Sequence, residues 1–237
     1  MKQNNWFDPF FILENLSAEE KLIQKNVRDF SNNVLRPIVV NDNRNHNFDR
    51  GLYSEFGRLG LLGSTVKNHG GAGTSSAAYG LIAYEIEKID SSYRSSISVQ
   101  SSLVIHPIDT YGSNKQKEKY LPDLISGDKI GCFGLTEPDH GSNPGGMTTN
   151  FKDMGDHYLL NGAKMWISNS PIANVAVVWA KNEEGRIHGL IVERGMEGFT
   201  TPETHNKWSL RASSTGELIF DNVKIPKENL LPNKSGL

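Results

Sequence analysis

The sequence has 237 residues, enough for one large domain or two ordinary ones, and 37% are hydrophobic, which excludes disorder over most of the chain. The formal net charge of −2 argues against a general nucleic-acid binder, and the single cysteine excludes a disulfide framework and a zinc site built from several cysteines. No apolar run approaches the roughly 18 residues of a membrane helix, and residues 1–10 lack a secretory signal, so we expect a cytoplasmic protein that binds no membrane.

The first half of the sequence predicts helices. Ser17 and Glu20 form a capping box, after which apolar residues recur at helical spacing: Leu22, Ile23, Val27, Phe30 and Val34. Pro37 is expected to kink or stop this helix. Further helices are predicted around 52–59, closed by Gly60; from Ser75 to Ile89; between Ser95 and Tyr111, bent or ended by Pro107; and from a second capping box at Ser113 and Gln116 to Gly127.

The second half predicts short strands separated by turns. Apolar runs of strand length lie at 130–136, 158–160, 164–167, 175–180, 188–192 and 217–220. Turn signals occur at Asn161-Gly162, which is a strong hairpin signal between apolar runs, and at Glu184-Gly185, Arg194-Gly195 and Thr215-Gly216. We therefore predict an α+β fold, with a helical amino-terminal domain over residues 1–130 and an antiparallel β-sandwich or β-barrel domain over residues 131–237.

Several other motifs argue against common kinds of site. The glycine-rich segment 70–73 lacks the lysine of a P-loop and follows no apolar strand, which favours an ordinary loop. The seven histidines show no metal-ligand spacing, and Cys132 in an apolar strand is expected to be a buried thiol. No Gly-x-Ser-x-Gly elbow is present. We therefore predict no metal site and no hydrolase chemistry.

Two polar segments are better candidates for a ligand site. Residues 133–142 run from a strand into a loop rich in Gly, Pro and hydroxyl residues, whose backbone amides suit a polar ring edge or a phosphate. In the second segment, 166–171, Trp166 and Ser168 stand two residues apart on a strand and so point to the same side. That arrangement suits stacking on and hydrogen bonding to a flat heterocycle. Packing followed by a turn is the alternative for each segment.

These segments resemble the middle domain of the acyl-CoA dehydrogenase family. The matching motifs are Leu135-Thr136-Glu137-Pro138, Gly141-Ser142 and Asn161-Gly162-x-Lys164-x-Trp166-Ile167-Ser168-Asn169. Runs typical of the glutaryl-CoA dehydrogenase subfamily are Asp90–Ser95, Ser98–Val104 and Ser209–Ser213. The resemblance implies an FAD-dependent enzyme in which a glutamate removes the acyl α-proton and the β-hydride passes to the flavin. Glutaryl enzymes then decarboxylate the product to crotonyl-CoA and pass electrons to electron-transfer flavoprotein.

The resemblance also implies which residues bind the cofactor. They are Phe133, Gly134, Leu135, Thr136, Gly141, Ser142, Trp166, Ile167 and Ser168. Leu135 and Thr136 would present a backbone amide and a hydroxyl to the pyrimidine edge of the flavin, and Ser168 would approach its N5 atom. Ser142 would also lie near the acyl-CoA.

A glutaryl enzyme would hold its substrate through a second set of residues: Glu87, Arg94, Ser95, Ser98 and Ser142. Arg94 with Ser95 would bind the distal carboxylate, since a guanidinium offers a planar fork to a carboxylate. The spacing of Glu87, Arg94 and Ser98 fits one helical face, unless the intervening 90–92 breaks the helix. Fatty-acyl relatives bind substrates with no distal charge to hold at this place, so Arg94 favours a dicarboxylic substrate.

The catalytic glutamate of the family has no match in this sequence. The resemblance implies roughly another 150 residues, about one domain, forming four carboxy-terminal helices that carry this base, much of the CoA pocket and most of the homo-oligomer contacts. We therefore expect the chain alone to be inactive. Two alternatives to part of a glutaryl-CoA dehydrogenase stay open: a non-catalytic remnant, and a fatty-acyl-CoA dehydrogenase of another chain length.

Overall fold

The computed structural model describes residues 8–232 and 236, so the outermost residues of the two predicted domains, 1–7, 233–235 and 237, lie outside the described part. The α-helices are α1 (Ala18–Phe30), α2 (Arg36–Asn45), α3 (Leu52–Arg58), α4 (Ser76–Glu87), α5 (Ser91–Ser98), α6 (His106–Tyr111) and α7 (Asn114–Ser126). The strands are β1 (Gly131–Gly134), β2 (Asn150–Asp153), β3 (His157–Ser168), β4 (Val175–Lys181), β5 (Ile187–Glu193), β6 (Phe199–Thr200) and β7 (Thr215–Pro226). The predicted order, helices first and a β part second, is confirmed. Within residues 8–232, no helix combines the length and the apolar character needed to cross a membrane.

The first helix begins where its capping box predicts. The Ser17 hydroxyl accepts from the Glu20 N–H at 3.1 Å, and the Glu20 carboxylate accepts from the Ser17 N–H at 2.9 Å. Val27 and Phe30 of the predicted apolar stripe are buried, whereas Leu22 and Val34 are 58% and 38% exposed and do not join the core. The second capping box, before α7, also forms, and Gly127 ends that helix in the left-handed conformation.

The prolines at 37 and 107 were expected to bend or to end their helices, and neither of them ends the helical run. Pro37 lies in the first turn of α2, and Pro107 lies in the first turn of α6. Each follows a stretch of π-helix, at 31–35 and 99–105, that continues the preceding α-helix. Proline is tolerated in a first turn, where its fixed φ is already helical.

The strands form one mixed sheet in the order β1-β4-β2-β3-β7-β6, with β5 on the other edge of β4. Most pairs are antiparallel, and the predicted turn at Glu184-Gly185 joins β4 to β5. β1 departs from the predicted antiparallel arrangement because it runs parallel to β4. A parallel pair needs a long connection, and the chain between these two strands supplies one that contains β2 and β3.

The prediction of a hairpin at Asn161-Gly162 is wrong, because both residues lie inside β3 at a bulge. The Asn161 carbonyl oxygen Oδ1 accepts from the Asn222 N–H of β7 at 2.9 Å. Gly162 has φ 136°, a value that favours glycine. Pairing with β7 on both sides of the bulge keeps the two halves of β3 in line. Thr215-Gly216 likewise begins β7 instead of forming a turn, and the short strands β2 and β6 were not predicted.

A buried glutamine joins the helical part to the first strand. Gln100, which is fully buried, donates to the carbonyl oxygens of Leu124 at 2.8 Å and Lys129 at 2.9 Å. The side-chain oxygen Oε1 of Gln100 accepts from the Gly131 N–H at 2.7 Å. The helices therefore fix the start of β1, and with it the polar segment that follows.

We expect Gly80→Ala to raise the free energy of unfolding by about 0.5–1 kcal/mol, because alanine favours a helix interior over glycine. Gly80 lies on the exposed side of α4, and an added Cβ meets nothing within 4 Å. Urea denaturation of the purified chain measures the change. The control is Gly57→Ala on α3, whose Cβ would lie 1.9 Å from the Ser126 carbonyl oxygen, and which should instead destabilise the protein. A destabilised Gly80→Ala variant would contradict the open surroundings of this position.

Candidate functional site

Trp166 lies at a second bulge in β3, which turns its indole outward. The pairing of β3 with β7 shifts register between Lys164 and Ile167, and Trp166 has φ 61°. Trp166 is 58% exposed, whereas Ile167 beside it is buried. A left-handed backbone at a non-glycine residue is costly, and such residues cluster at ligand sites.

Trp166 and Ser168 line one cleft, on the same side of the strand as their spacing predicts. The cleft has a volume of about 380 Å³. Its other lining residues are Thr204, His205, Asn206, Lys207, Trp208, Ser209, Leu210 and Thr215. We refer to residues 204–210 as the cleft loop. An exposed indole beside a hydroxyl can hold a flat heteroaromatic ring by stacking and a hydrogen bond.

A buried ion pair connects the two candidate segments, and sequence reasoning missed it. Lys164 Nζ lies 2.9 Å from Glu137 Oε1, and both side chains are almost fully buried. The ammonium also donates to the Leu135 carbonyl oxygen at 3.0 Å. Glu137 accepts from the N–H groups of Thr148 at 2.7 Å and Thr149 at 2.9 Å. Glu137 and Lys164 both belong to motifs that resemble the acyl-CoA dehydrogenase middle domain, and this was the sequence signal that could have revealed the pair.

The Glu137 carboxyl stays ionised at neutral pH. Burial raises its pKa, but hydrogen bonds from Thr148, Thr149 and Lys164 outweigh burial and lower the pKa to about 2. Burial lowers the pKa of Lys164, and Glu137 opposes that effect. A carboxylate held in this way is a structural anchor that fixes the Leu135–Thr136 segment against β3.

The described lining of the cleft includes no residue of the segment 133–142, and Thr136 is the residue of that segment that is hydrogen-bonded next to Trp166. The Met165 N–H donates to the Thr136 carbonyl oxygen at 2.9 Å, which places Thr136 beside the Trp166 bulge. Phe133 packs edge-to-face on Trp179 with ring centroids 6.3 Å apart. Gly141 and Ser142 lie in a loop and are exposed, and the described lining of the cleft does not include them.

The prediction that Glu87, Arg94 and Ser98 share one helical face is wrong. α4 ends at Glu87, and α5 begins after Asp90, whose carboxylate accepts from the Ser92 N–H at 2.7 Å. The break anticipated at 90–92 is therefore present.

Glu87 and Arg94 nevertheless meet across this break. Arg94 Nε lies 2.6 Å from Glu87 Oε2, with the two side chains 35% and 43% exposed. The Ser91 hydroxyl also donates to Glu87, and the bonds from Ser91 and Arg94 lower the pKa of this carboxyl. Ser95 and Ser98, both half-buried, follow on α5. The result is a partly exposed guanidinium on the same helix as two hydroxyls, a set of donors suited to a carboxylate.

No three His, Cys, Asp or Glu side chains come together as a metal site within the part of the chain that the structure describes. Cys132 is buried as predicted, and burial raises the pKa of its thiol to about 12. The thiol is therefore protonated at neutral pH and is not a nucleophile.

Comparison with known proteins assigns both parts of the chain to one family. Residues 17–128 match the model "Acyl-CoA dehydrogenase, N-terminal domain", and residues 132–223 match "Acyl-CoA dehydrogenase, middle domain". The chain belongs to the acyl-CoA dehydrogenase family, as its motifs predict.

Individual relatives differ in substrate. A crystal structure of a glutaryl-CoA dehydrogenase from Mycobacterium smegmatis in complex with FADH2 is 46% identical with a TM-score of 0.94, over 96% of this chain and 59% of that one. Butyryl-CoA dehydrogenase from Megasphaera elsdenii is 34% identical with a TM-score of 0.87, over 93% of this chain and 60% of that one. The mitochondrial short-chain specific acyl-CoA dehydrogenase of Mus musculus is 38% identical, over 91% of this chain and 54% of its own length. The chain thus spans little more than half the length of these relatives.

Proposed function

We propose that this chain supplies the FAD-binding cleft and part of the substrate site of an acyl-CoA dehydrogenase that acts on glutaryl-CoA. The observation that carries the proposal is the cleft in which exposed Trp166 stands beside Ser168, a pair suited to one flat ring system. The FADH2 bound by the Mycobacterium smegmatis enzyme supports it. When bound, FAD supplies the acceptor for the hydride that leaves the acyl β-carbon.

The chain's own residues bind and orient the cofactor. Trp166 offers an indole face, and Ser168 offers a hydroxyl to a ring nitrogen. The backbone amide of Leu135 and the hydroxyl of Thr136 serve the polar edge of the ring, where reduction gathers negative charge. The remaining residues of the proposed set are Phe133, Gly134, Gly141, Ser142 and Ile167.

Arg94 binds the distal carboxylate of the glutaryl chain in this proposal. Glu87 holds the guanidinium at the break between α4 and α5, and Ser95 and Ser98 add hydroxyl donors. Ser142 lies toward the acyl-CoA. The complete reaction is oxidation and decarboxylation to crotonyl-CoA in the cytoplasm by a homo-oligomer that passes electrons to an electron-transfer flavoprotein.

A short-chain fatty-acyl-CoA is the second candidate substrate. Arg94 already has an ion-pair partner in Glu87, so an uncharged acyl chain leaves no unpaired charge at this site. The 38% identity to the short-chain specific mouse enzyme supports this alternative. Because the catalytic glutamate of the family has no match, we also propose that the 237-residue chain alone binds FAD without oxidising acyl-CoA, as a non-catalytic remnant would.

We expect the purified chain to bind FAD, and Trp166→Ala to weaken that binding by about fivefold or more, because stacking on an aromatic side chain contributes about 1–3 kcal/mol. Quenching of flavin fluorescence during titration gives the dissociation constant. The control is Met154→Ala, which removes a 52% exposed apolar side chain outside the cleft lining and should leave the affinity unchanged. A chain that binds no FAD, or a Trp166→Ala variant that binds as well as the parent, would overturn the flavin proposal.

A further inference from the structure

A second tryptophan lies in the same cleft. Trp208, on the cleft loop, lines the cleft with Trp166 and Ser168. It is 98% exposed, the largest exposed fraction among the large hydrophobic side chains of the described residues. Covering an exposed indole with a flat apolar surface is energetically favourable. Two exposed indoles in one cleft therefore point to a single aromatic ligand.

Lys207, the residue before Trp208, holds the cleft loop from within. Its ammonium donates to the Leu210 carbonyl oxygen at 2.8 Å and to the Thr215 hydroxyl at 2.8 Å, and also to the Ser213 carbonyl oxygen. These acceptors lie on both the loop and the start of β7. Lys207 thus closes the loop onto the strand next to β3.

Arg211 fastens the end of the same loop to the helical part. Its guanidinium donates to the Lys207 carbonyl oxygen at 3.1 Å and to the carbonyl oxygens of Asn43 at 3.0 Å and Arg44 at 3.3 Å. The last two lie in the final turn of α2, where carbonyl groups lack helical partners and a cation is favoured. The loop is therefore held by the contacts of Lys207 and of Arg211, and Trp208 between these two residues stays exposed to solvent.

The backbone on both sides of Trp208 is strained. Asn206 has φ 58° and Leu210 has φ 51°, so two non-glycine residues adopt the left-handed conformation within five positions. Such strain persists only where surrounding contacts impose it, and it is common at ligand sites. Lys207 and Arg211, whose hydrogen bonds fix the loop, directly follow these two positions.

We propose that Trp208 is a second aromatic contact for FAD and that Lys207 is the positioning residue that holds it in the cleft. This inference rests on the proposed flavin function. Trp166 and Trp208 then bind the flat ring system of the cofactor from the strand and from the loop. The Lys207 contacts restrict the loop in advance, which reduces the ordering that binding requires.

The test compares FAD affinity among variants of the 237-residue chain, measured by flavin fluorescence quenching. Trp208→Ala should raise the dissociation constant by about tenfold, and Trp208→Phe, which keeps an aromatic face, should recover most of that loss. Because Trp208 is 98% exposed, neither change removes a core contact, and thermal unfolding should match that of the parent. Lys207→Met should weaken FAD binding and speed chymotrypsin cleavage of the cleft loop, and FAD should slow that cleavage in the parent.

The outcomes separate this inference from the flavin proposal. If the parent binds FAD, Trp166→Ala weakens binding and Trp208→Ala does not, the Trp208 inference is overturned and the flavin function stands. If the parent binds no FAD, both are overturned. If Trp208→Ala and Trp208→Phe weaken binding equally, aromatic contact is not the cause and the inference is likewise overturned.

Discussion

Glu137→Gln should lower the free energy of unfolding by about 3–5 kcal/mol, because it leaves the Lys164 ammonium buried without a counter-charge. The side chain of Lys164 is 0% exposed and that of Glu137 is 2% exposed, so water cannot replace the lost carboxylate. Urea denaturation of the purified chain measures the change. The matched control is Glu184→Gln, which breaks the Glu184–Arg186 pair, whose side chains are 65% and 64% exposed. That change should cost no more than about 1 kcal/mol.

Removing both charges tests the same explanation. In the double variant Glu137→Gln, Lys164→Met, no unpaired ammonium is left, so a large part of the lost stability should return. A single Glu137→Gln change that costs no more than the exposed control would contradict the anchoring role of this pair. So would a double variant less stable than Glu137→Gln alone.

The dependence of stability on pH supplies a further check on Glu137. Its pKa is about 2 in the folded chain, below the ordinary value of 4.5, so the folded state binds the proton less tightly than the unfolded state does. The resulting stabilisation is fully present above about pH 4.5 and is lost as the pH falls toward 2. The difference in stability between the parent and Glu137→Gln should therefore shrink over that acidic range.

Signals confined to a few residues predicted structure well. The capping boxes at Ser17 and Ser113 and the helix end at Gly127 each depend on contacts within about one helical turn. Asn161-Gly162 is also a local signal, yet it failed. Its conformation is set by Asn222 on a strand 61 residues later, and that partner turns a hairpin signal into a bulge.

Of the residues predicted to bind the cofactor, Trp166 and Ser168 line the cleft. Alternation along a strand correctly put Trp166 and Ser168 on one side, but the bulge that exposes the indole depends on the register with β7. Glu137 and Lys164 are 27 residues apart, and only the arrangement of the sheet brings them together. The cleft loop carried no pattern that linked it to β3, so Trp208 could be recognised only from the structure.

Arg94→Met should lower kcat/KM for glutaryl-CoA by at least about tenfold, because a hydrogen bond to a charged group contributes about 1.5–3 kcal/mol. Methionine has similar length but leaves the distal carboxylate without a partner. In this proposal none of the 237 residues acts as the catalytic base. The chain is therefore joined to the carboxy-terminal part of the Mycobacterium smegmatis glutaryl-CoA dehydrogenase, the 46% identical relative. Oxidation of glutaryl-CoA and of butyryl-CoA is then followed with an artificial electron acceptor.

The two substrates together decide between the proposed roles of Arg94. If its guanidinium binds the glutaryl carboxylate, Arg94→Met should affect butyryl-CoA oxidation much less, since butyryl-CoA has no distal charge. Arg94→Lys should recover only part of the glutaryl-CoA activity, because an ammonium lacks the planar fork of arginine. If Arg94 only joins α4 to α5 through Glu87, both substrates should lose efficiency together or neither should. The control is Arg58→Met, which removes an exposed arginine from its ion pair with Glu55 on α3 and should change neither rate. Parallel losses for the two substrates after Arg94→Met would defeat the dicarboxylate assignment and favour the short-chain fatty-acyl alternative.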